Sequence, residues 1–425
     1  MPTRSSAIIF AILGMVMLLG CQDTLGPDPV HERELPGETS LLAGAGSRSS
    51  DYRVVSISTL GGATGFARGI NDRNEVVGAA QNAAGQLRAF HWRDGTMVEL
   101  DGLGGSVSGA YDINNRGLIV GEAENPGGNL RAVLWMDGEV RELGTLGGEM
   151  SVAMAVNERG QVVGRAQDSS GLFRPFLWWR GHMQELPLPP GEHLFAAGYG
   201  INSAGDVVGE VWPETGGQAQ QAVLWSRNQV IVLKTFCGET LASAISARGH
   251  IVGAGVDCPY DIEVLPLLWA GNVEDQLLEP LGGLFPPEHE DVQNIGAASA
   301  VNSRGDVVGW STVTRDEQRA TLWSRDRVIN LGGEGAPVAS AINERGVAAG
   351  RSGMTPALYV RGSQRSLLPH RISDGLDAAS AMNIPRASAG SLEGSRAGEE
   401  WAVNLCGGKG RLSGPTTVAG ILAGC

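Results

Sequence analysis

The chain has almost no lysine and few charged residues of any kind. Of its 425 residues, only Lys234 and Lys409 are lysines, charged residues make up 18%, and the formal net charge is −14. So few cations give little of the basic surface that holds the phosphates of nucleic acids or anionic lipids. We therefore expect no nucleic-acid partner.

The sequence also lacks the short motifs that mark common active sites. Its seven histidines are scattered, and it has no His-Glu-x-x-His, no Gly-x-Ser-x-Gly and no phosphate-binding loop after a strand. Cys-x-x-Cys pairs and the alternating oxygen ligands of a calcium loop are missing too. We expect no metal and no cofactor.

No hydrophobic run is long enough to cross a membrane comfortably. The apolar segment from Ala7 to Leu19 follows Arg4 and leads into Leu18-Leu19-Gly20-Cys21, a pattern typical of an export signal. Its end resembles the lipobox of bacterial lipoproteins, which implies cleavage before Cys21, a diacylglycerol on the Cys21 sulfur and an acyl chain such as palmitate on its amino group. The alternative is an ordinary signal peptide that contains a cysteine.

These features divide the N-terminal part into a signal peptide, residues 1–20, and a tether, residues 21–50. The tether is rich in Gly, Pro and Ser and shows no periodicity, so we expect it to be flexible. Gln22 rather than Asp follows the cysteine, which favours an outer-membrane lipoprotein facing the periplasm or the cell surface.

Cysteine is scarce as well. Besides Cys21, the sequence has Cys237, Cys258, Cys406 and Cys425. An even number in an exported chain favours disulfides. Proximity suggests pairing Cys237 with Cys258 and Cys406 with Cys425, although three pairings are possible.

What the sequence does contain is one pattern repeated eight times. The pattern centres on an aliphatic residue followed by Asn, or by Ser in one copy, at Asn71, Asn114, Asn157, Asn202, Ser246, Asn302, Asn343 and Asn383. A period near 43 residues is in the range of propeller blades. We predict one all-β domain over residues 51–405, followed by a C-terminal tail, residues 406–425.

Each copy is predicted to form four short strands. An Asn-x-x-Gly turn joins the first two strands, the second strand has a Val-Val-Gly pattern, the third ends in Leu-Trp, and the fourth alternates apolar and polar residues, as in residues 140–143. We place the first strand innermost because it is rich in Ala, Gly and Ser. The recurring Trp is predicted to pack between neighbouring sheets rather than to stack on carbohydrate.

The two ends of the repeat predict how the ring closes. Residues 52–57 form a fourth strand without the preceding three, and residues 381–405 supply three strands without a clear fourth. Closing a ring in this way would remove exposed sheet edges. We therefore predict a β-propeller of eight blades closed by the N-terminal strand, with seven blades as the alternative because the eighth copy lacks the turn Gly and Leu-Trp.

The repeated segments Ile-Asn-x-x-Gly-x-Val-Val-Gly, Ala-Phe-Leu-Trp and Leu-Gly-Thr-Leu-Gly-Gly resemble the HAF-repeat family of bacterial exported proteins. The resemblance covers residues 52–405, and the third segment is most complete at residues 143–148. The family's His-Ala-Phe is altered to Arg88-Ala89-Phe90 in this chain. The resemblance implies export and a repeat fold, but no defined activity.

Departures from the repeat are the expected functional positions, because loops on a rigid scaffold are free to vary. The longest interval, 56 residues, contains acidic loops with one His that either are solvated or serve as a cation or acid–base site. Trp212 and Trp310 end second strands on the same face and offer stacking surfaces for sugars. The acidic candidates are Asp257, Asp261, Glu288, His289, Glu290 and Asp291.

Three functions fit these patterns. The first is a lipid-anchored, non-enzymatic binding or scaffolding propeller for protein or glycan. The second is a polysaccharide-active enzyme, which needs a pair of carboxylates about 5 to 10 Å apart in a cleft. The third is a purely structural cell-surface repeat.

Overall fold

The computed structural model describes residues 51–214, 219–256, 264–270, 275–283, 295–314, 317–325 and 327–362. Its strands form seven four-stranded antiparallel sheets. The first strands of successive sheets contact one another around a complete ring. The first sheet along the sequence packs against the last one, which closes the ring. The protein is therefore a seven-bladed β-propeller, and its first strands surround the axis, as predicted.

In the first three blades, the second, third and fourth strands have nearly identical lengths, whereas the first strands differ. Blade 1 contains β2 (Gly61–Ile70), β3 (Val76–Asn82), β4 (Leu87–Arg93) and β5 (Thr96–Glu99). Blade 2 contains β6 (Ser108–Ile113), β7 (Ile119–Glu124), β8 (Leu130–Met136) and β9 (Glu139–Glu142). Blade 3 contains β10 (Gly147–Val156), β11 (Val162–Asp168), β12 (Phe173–Trp179) and β13 (His182–Glu185).

The remaining blades repeat this order. Blade 4 contains β14 (His193–Ile201), β15 (Val207–Pro213), β16 (Gln221–Ser226) and β17 (Gln229–Val232). Blade 5 contains β18 (Glu239–Ile245), β19 (Ile251–Val256), β20 (Leu265–Trp269) and β21 (Asp275–Leu277). Blade 6 contains β22 (Gly296–Val301), β23 (Val307–Thr314), β24 (Glu317–Ser324) and β25 (Arg327–Gly332). Blade 7 contains β26 (Val338–Ile342), β27 (Ala348–Ser352), β28 (Thr355–Arg361) and β1 (Tyr52–Ser56).

The ring closes after seven blades, so the alternative blade count is correct and the preferred count of eight is wrong. The N-terminal strand β1 pairs with β28, from Tyr52 opposite Arg361 to Ser56 opposite Ala357. Closure by the N-terminal strand is thus confirmed, but one blade earlier than expected. The eighth copy, residues 381–405, lies outside the described residues.

The propeller has two faces with different connections. The turn face carries the Asn turns between first and second strands and the hairpins between third and fourth strands. The loop face carries the loops between second and third strands and the links from one blade to the next. Because strands alternate in direction, Tyr52 and Arg361 both lie at the turn face, whereas Trp212 and Glu214 lie at the loop face.

The repeated Asn links neighbouring blades as well as shaping its own turn. In blade 3, the Asn157 side-chain oxygen accepts hydrogen bonds from the backbone N–H groups of Arg159 and Gln161 at 3.0 and 3.1 Å. Its amide donates to the backbone oxygen of Asn202 in blade 4 at 3.0 Å. Equivalent bonds between blades start from Asn71, Asn114, Asn302 and Asn343.

The glycine of each Val-Val-Gly strand lies where the first strand bulges. In blade 2, the register shifts between Ala110 and Asp112, and a Cβ on Gly121 would stand 2.0 Å from the backbone oxygen of Gly109. No side chain fits that distance. The glycine is therefore required by the close approach of two strands.

The recurring tryptophans lie in the core, as predicted. They are between 1 and 5% exposed at Trp92, Trp135, Trp178, Trp225, Trp269 and Trp323. The indole N–H of Trp135 donates to the backbone oxygen of Asp101 in the preceding link at 2.7 Å, and Trp225, Trp269 and Trp323 make the same kind of bond. All six rings thus fill apolar space, and these four also satisfy their one polar group.

Two first strands are longer than the repeat predicted. The Leu-Gly-Gly segments at residues 60–62 and 146–148 lead directly into first strands, since β2 starts at Gly61 and β10 at Gly147. A Cβ on Gly62 would approach the Gln81 side chain to 2.5 Å. Glycine therefore allows the chain to run directly beside the second strand.

Cys237 is buried and disulfide-bonded. Cys21, Cys258, Cys406 and Cys425 lie outside the described residues, so the pairing stays a prediction. Among the described residues, no helix could span a membrane.

Candidate functional site

The predicted stacking residue Trp212 lies at the loop face, at the end of β15. It is half-buried, and its ring meets Phe195 of β14 at a centroid distance of 5.4 Å and an angle of 52°. Phe195 in turn meets Phe173 of β12 at 6.0 Å. We call these three half-buried rings, Phe173, Phe195 and Trp212, the aromatic ladder; it joins blades 3 and 4.

Arg165 of β11 packs against the ladder. Its guanidinium lies 5.3 Å from the Phe173 ring centre and 5.7 Å from the Phe195 ring centre. A cation over aromatic faces is attracted by their electron density. Arg165 thus helps to hold the two phenylalanine rings in place and supplies a hydrogen-bond donor beside them.

A buried carboxylate lies below the ladder. Glu210 is 2% exposed, and it accepts hydrogen bonds from the Tyr199 hydroxyl and the Gln220 amide. Burial raises the pKa of Glu210, and the neighbouring Tyr199 and Trp212 side chains oppose that rise. Burial also raises the pKa of Tyr199, so its hydroxyl stays protonated and orients the carboxylate.

The rim of the ladder is acidic. Glu192 and Glu214 lie exposed at the loop face, and the backbone N–H of Glu214 donates to the backbone oxygen of Glu192 at 2.8 Å. The hydrogen bond and charge of Glu192 raise the pKa of Glu214. Next to them, Leu194 is 50% exposed. The site thus combines apolar rings with exposed hydrogen-bonding groups.

The second predicted stacking residue does not form such a surface. Trp310 is 8% exposed and packs with Leu241, Ala254 and Ala297 between blades 5 and 6. Its ring fills the space between two sheets, which corrects the expectation of an exposed stacking platform there.

Asp257, Asp261, Glu288, His289, Glu290 and Asp291 lie outside the described residues. Within the described ranges, no group of three or more His, Cys, Asp or Glu side chains could hold a metal ion.

Arg88, Arg131 and Arg174 hold equivalent positions just before the third-strand core residues of blades 1, 2 and 3, and each forms an ion pair. Arg88 pairs with Glu99 at 2.7 Å, Arg131 with Glu142 at 3.7 Å and Arg174 with Asp168 at 3.0 Å. Each arginine thus pairs within its own blade and supplies no obvious ligand contact.

Sequence reasoning missed Phe173, Phe195, Tyr199 and Glu210. A comparison of blades contains the signal for two of them. A Tyr three residues before the turn Asn and a Glu directly after Val-Val-Gly occur together at Tyr111 and Glu122 of blade 2, and at Tyr199 and Glu210 of blade 4. The Tyr111 hydroxyl likewise donates to Glu122, at 2.8 Å. Blade 5 has Ser243 and Ala254 at these positions.

Comparison with known proteins adds only the fold. No family model matches the sequence, and no curated protein matches it. Among solved structures, the chain is similar to streptogramin B lyase, with 10% identity, a TM-score of 0.48, and coverage of 74% of this chain and 99% of the other.

Two further structures show the same distant similarity. The β-propeller domain of the Trilobed protease from Pyrococcus furiosus has 9% identity and a TM-score of 0.45, covering 70% of this chain and 95% of that domain. A gluconolactonase from Xanthomonas campestris has 9% identity and a TM-score of 0.37, covering 76% of this chain and 99% of the other.

Proposed function

We propose that this protein is an exported, lipid-anchored binding module that contacts glycan through the aromatic ladder on its loop face. The observation that carries the proposal is a row of three half-buried rings, Phe173, Phe195 and Trp212, beside an exposed acidic rim. Sugar rings offer apolar C–H faces and hydroxyl edges, so they fit a surface that joins aromatic faces to hydrogen-bonding groups. Protein is the alternative ligand.

The anchor and location belong to the same proposal. The sequence Leu18-Leu19-Gly20-Cys21 supports lipidation at Cys21 and attachment to the outer membrane. Two or more chains on one cysteine anchor a protein stably, whereas one chain does not. The repeat motifs support membership of the HAF-repeat family.

The carboxylates at the rim do not favour the enzyme alternative. Glu192 and Glu214 share a side-chain hydrogen bond, so they stand closer than the roughly 5 to 10 Å that glycoside hydrolysis uses. A binding role therefore fits the described geometry better than hydrolysis of polysaccharide.

A glycan array probed with the chain beginning at Gln22 tests the proposal. We expect the wild type to bind a defined set of glycans, and Trp212→Ala to weaken that binding about tenfold or more because a stacking face is lost. Trp179→Ala is the control, since Trp179 is 42% exposed but lies in a hairpin at the turn face. A blank array, or equal loss in both variants, would overturn glycan binding at the ladder and favour a protein ligand or a structural repeat.

A further inference from the structure

The turn face contains a cavity of about 460 Å³ that involves blades 5, 6 and 7. It lies on the face opposite the aromatic ladder. Six arginines line it: Arg248, Arg304, Arg325, Arg327, Arg345 and Arg361. We call these six residues the arginine cluster. Asp306 is the one carboxylate among the lining residues of the described chain.

The propeller geometry assembles this cluster from distant parts of the sequence. Arg248, Arg304 and Arg345 hold the same position, two residues after the turn Asn or Ser, in three successive blades. The hairpin between β24 and β25 supplies two more arginines. Arg361 ends β28, and its guanidinium lies 5.6 Å from the ring centre of Tyr52 on β1.

Among the described lining residues, Asp306 forms an ion pair with one of these arginines, Arg304. Burial would raise the pKa of Asp306, but hydrogen bonds from Ser324, Asn302 and Arg304 outweigh burial and hold that pKa below its usual range. The carboxylate is therefore ionised and pairs with Arg304 at 2.9 Å.

An excess of positive charge remains in the cavity. In the part of the chain that the structure describes, Arg248, Arg325 and Arg327 form no ion pair. The six arginines of the cavity thus stand against one carboxylate among the described lining residues, in a chain whose net charge is −14. Like charges held close together raise the free energy of the fold unless an anion lies between them.

We propose that the arginine cluster binds the phosphoryl group of a small ligand, a sugar phosphate or a lipid headgroup. A phosphoryl group carries enough charge and enough acceptor oxygens to engage several arginines, and the planar guanidinium matches it through paired hydrogen bonds. The cavity volume is in the range of small-molecule pockets. The arginine cluster is a local basic surface within a chain of acidic net charge.

The chain also enters the ring at this cavity, because Tyr52, the first residue of β1, forms part of its wall. For a protein anchored through Cys21, a headgroup site at the end of the tether is consistent with the membrane as the source of the phosphoryl group. A sugar phosphate and a lipid headgroup both carry a phosphoryl group, and they differ in the organic group attached to it.

Blade 4 lacks two of these arginines and shows which residues can replace them. In blade 4, Ala204 and Gln229 occupy the positions of Arg304 and Arg327. The carboxylate there, Asp206, keeps its hydrogen bonds from Ser226 at 2.6 Å and Asn202 at 3.0 Å. The double variant Arg304→Ala, Arg327→Gln therefore copies a turn and hairpin that already fold in this chain.

The test is calorimetric titration of the full chain in non-ionic detergent. The probes are inorganic phosphate, glucose 1-phosphate and glycerophosphoglycerol, the headgroup of an anionic phospholipid. We expect at least one probe to bind, and the binding to weaken as salt is raised. Tighter binding of glucose 1-phosphate would assign the sugar phosphate, and tighter binding of glycerophosphoglycerol would assign the headgroup.

The variants decide where binding occurs. We expect Arg304→Ala, Arg327→Gln to bind about tenfold more weakly or worse. The control Arg180→Gln, Arg227→Gln removes the same charge from equivalent hairpin positions outside the cavity and should leave binding unchanged. Arg248→Gln, an exposed single change, gives a second reading if the double variant fails to fold. No binding of any probe by the wild type, or equal loss in the pocket and control variants, would overturn the proposal.

Discussion

Asn157 shows how one side chain serves both its own turn and the neighbouring blade. Its oxygen closes the turn, and its amide reaches Asn202 of blade 4. The turn role could be predicted from Asn-x-x-Gly alone, because that role is local. The bond between blades could not, since it depends on a residue 45 positions away that only the ring brings close.

Asn157→Asp separates these two roles. Aspartate keeps the acceptor for the turn but loses the donor to Asn202, and it places a charge where the residue is only 5% exposed. We expect the free energy of unfolding, measured by urea titration, to fall by about 1–3 kcal/mol. The control is Asn125→Asp, at a half-buried turn residue that accepts the same local bonds from Gly127 and Asn129. Equal losses in the two variants would contradict a special role for the bond between blades.

Asp112 is the one acidic residue at its position in the seven first strands, and it also links two blades. Its carboxylate accepts backbone N–H bonds from Val156 in blade 3 at 2.9 Å and from Ile113 at 2.8 Å. Burial raises the pKa of Asp112 to about 6, against the opposing effect of these two bonds, and the charge of Glu158 adds to the rise. This carboxylate therefore titrates near physiological pH.

The raised pKa predicts how stability depends on pH. The folded state binds the proton on the Asp112 carboxyl more tightly than the unfolded state does. Protonated Asp112 therefore stabilises the fold below its unfolded pKa of about 3.8, and this stabilisation is lost as pH rises through about 6. We expect the urea midpoint of the wild type, minus that of Asp112→Asn, to fall between pH 4 and 7. A difference that stays constant over that range would contradict the assignment.

The strand β1 is the element on which ring closure depends. It completes blade 7 by pairing with β28, and Val55 and the following Ile57 are 7% and 3% exposed. This strand could be predicted because residues 52–57 have the pattern of a fourth strand but are not preceded by the other three strands of a blade. The length of β2 and β10 could not be predicted, because Leu-Gly-Gly by itself is typical of a turn. Only the neighbouring second strand shows that these glycines allow the two strands to approach closely.

Removing residues 51–57 should open the ring. The edge of β28 would be exposed and the apolar contacts of Val55 and Ile57 lost, so we expect a lower thermal midpoint and association through the free edge. The measurements are thermal unfolding and size-exclusion chromatography. A chain that begins at Asp51 serves as the control and should remain monomeric. Identical behaviour of the two chains would contradict closure by β1.

At the scale of the whole molecule, repeat counting predicted a propeller but not the number of blades. The copy around Asn383 favoured an eighth blade. The structure pairs β1 directly with residues 357–361, which leaves blade 7 next to blade 1. Sequence spacing records how often a unit recurs and contains no measure of the curvature at which a ring closes.

The candidate sites were predictable only in part for the same reason. Trp212 could be predicted because it stands near the end of a second strand, at a loop-face position. The arginine cluster was missed because its members are ordinary turn residues in sequence, from Arg248 to Arg361, and become a site only where three blades meet. Overall charge concealed it, since an acidic total says nothing about where the few cations lie.

The most direct test of the account is glycan binding by a chain consisting of residues 51–362. If a ring of seven blades is complete and carries the binding surface, this chain should bind the same glycans as the chain beginning at Gln22, with affinities within about twofold, and Trp212→Ala should abolish or strongly weaken that binding. Loss of binding by the shortened chain, or binding that Trp212→Ala leaves unchanged, would contradict the account.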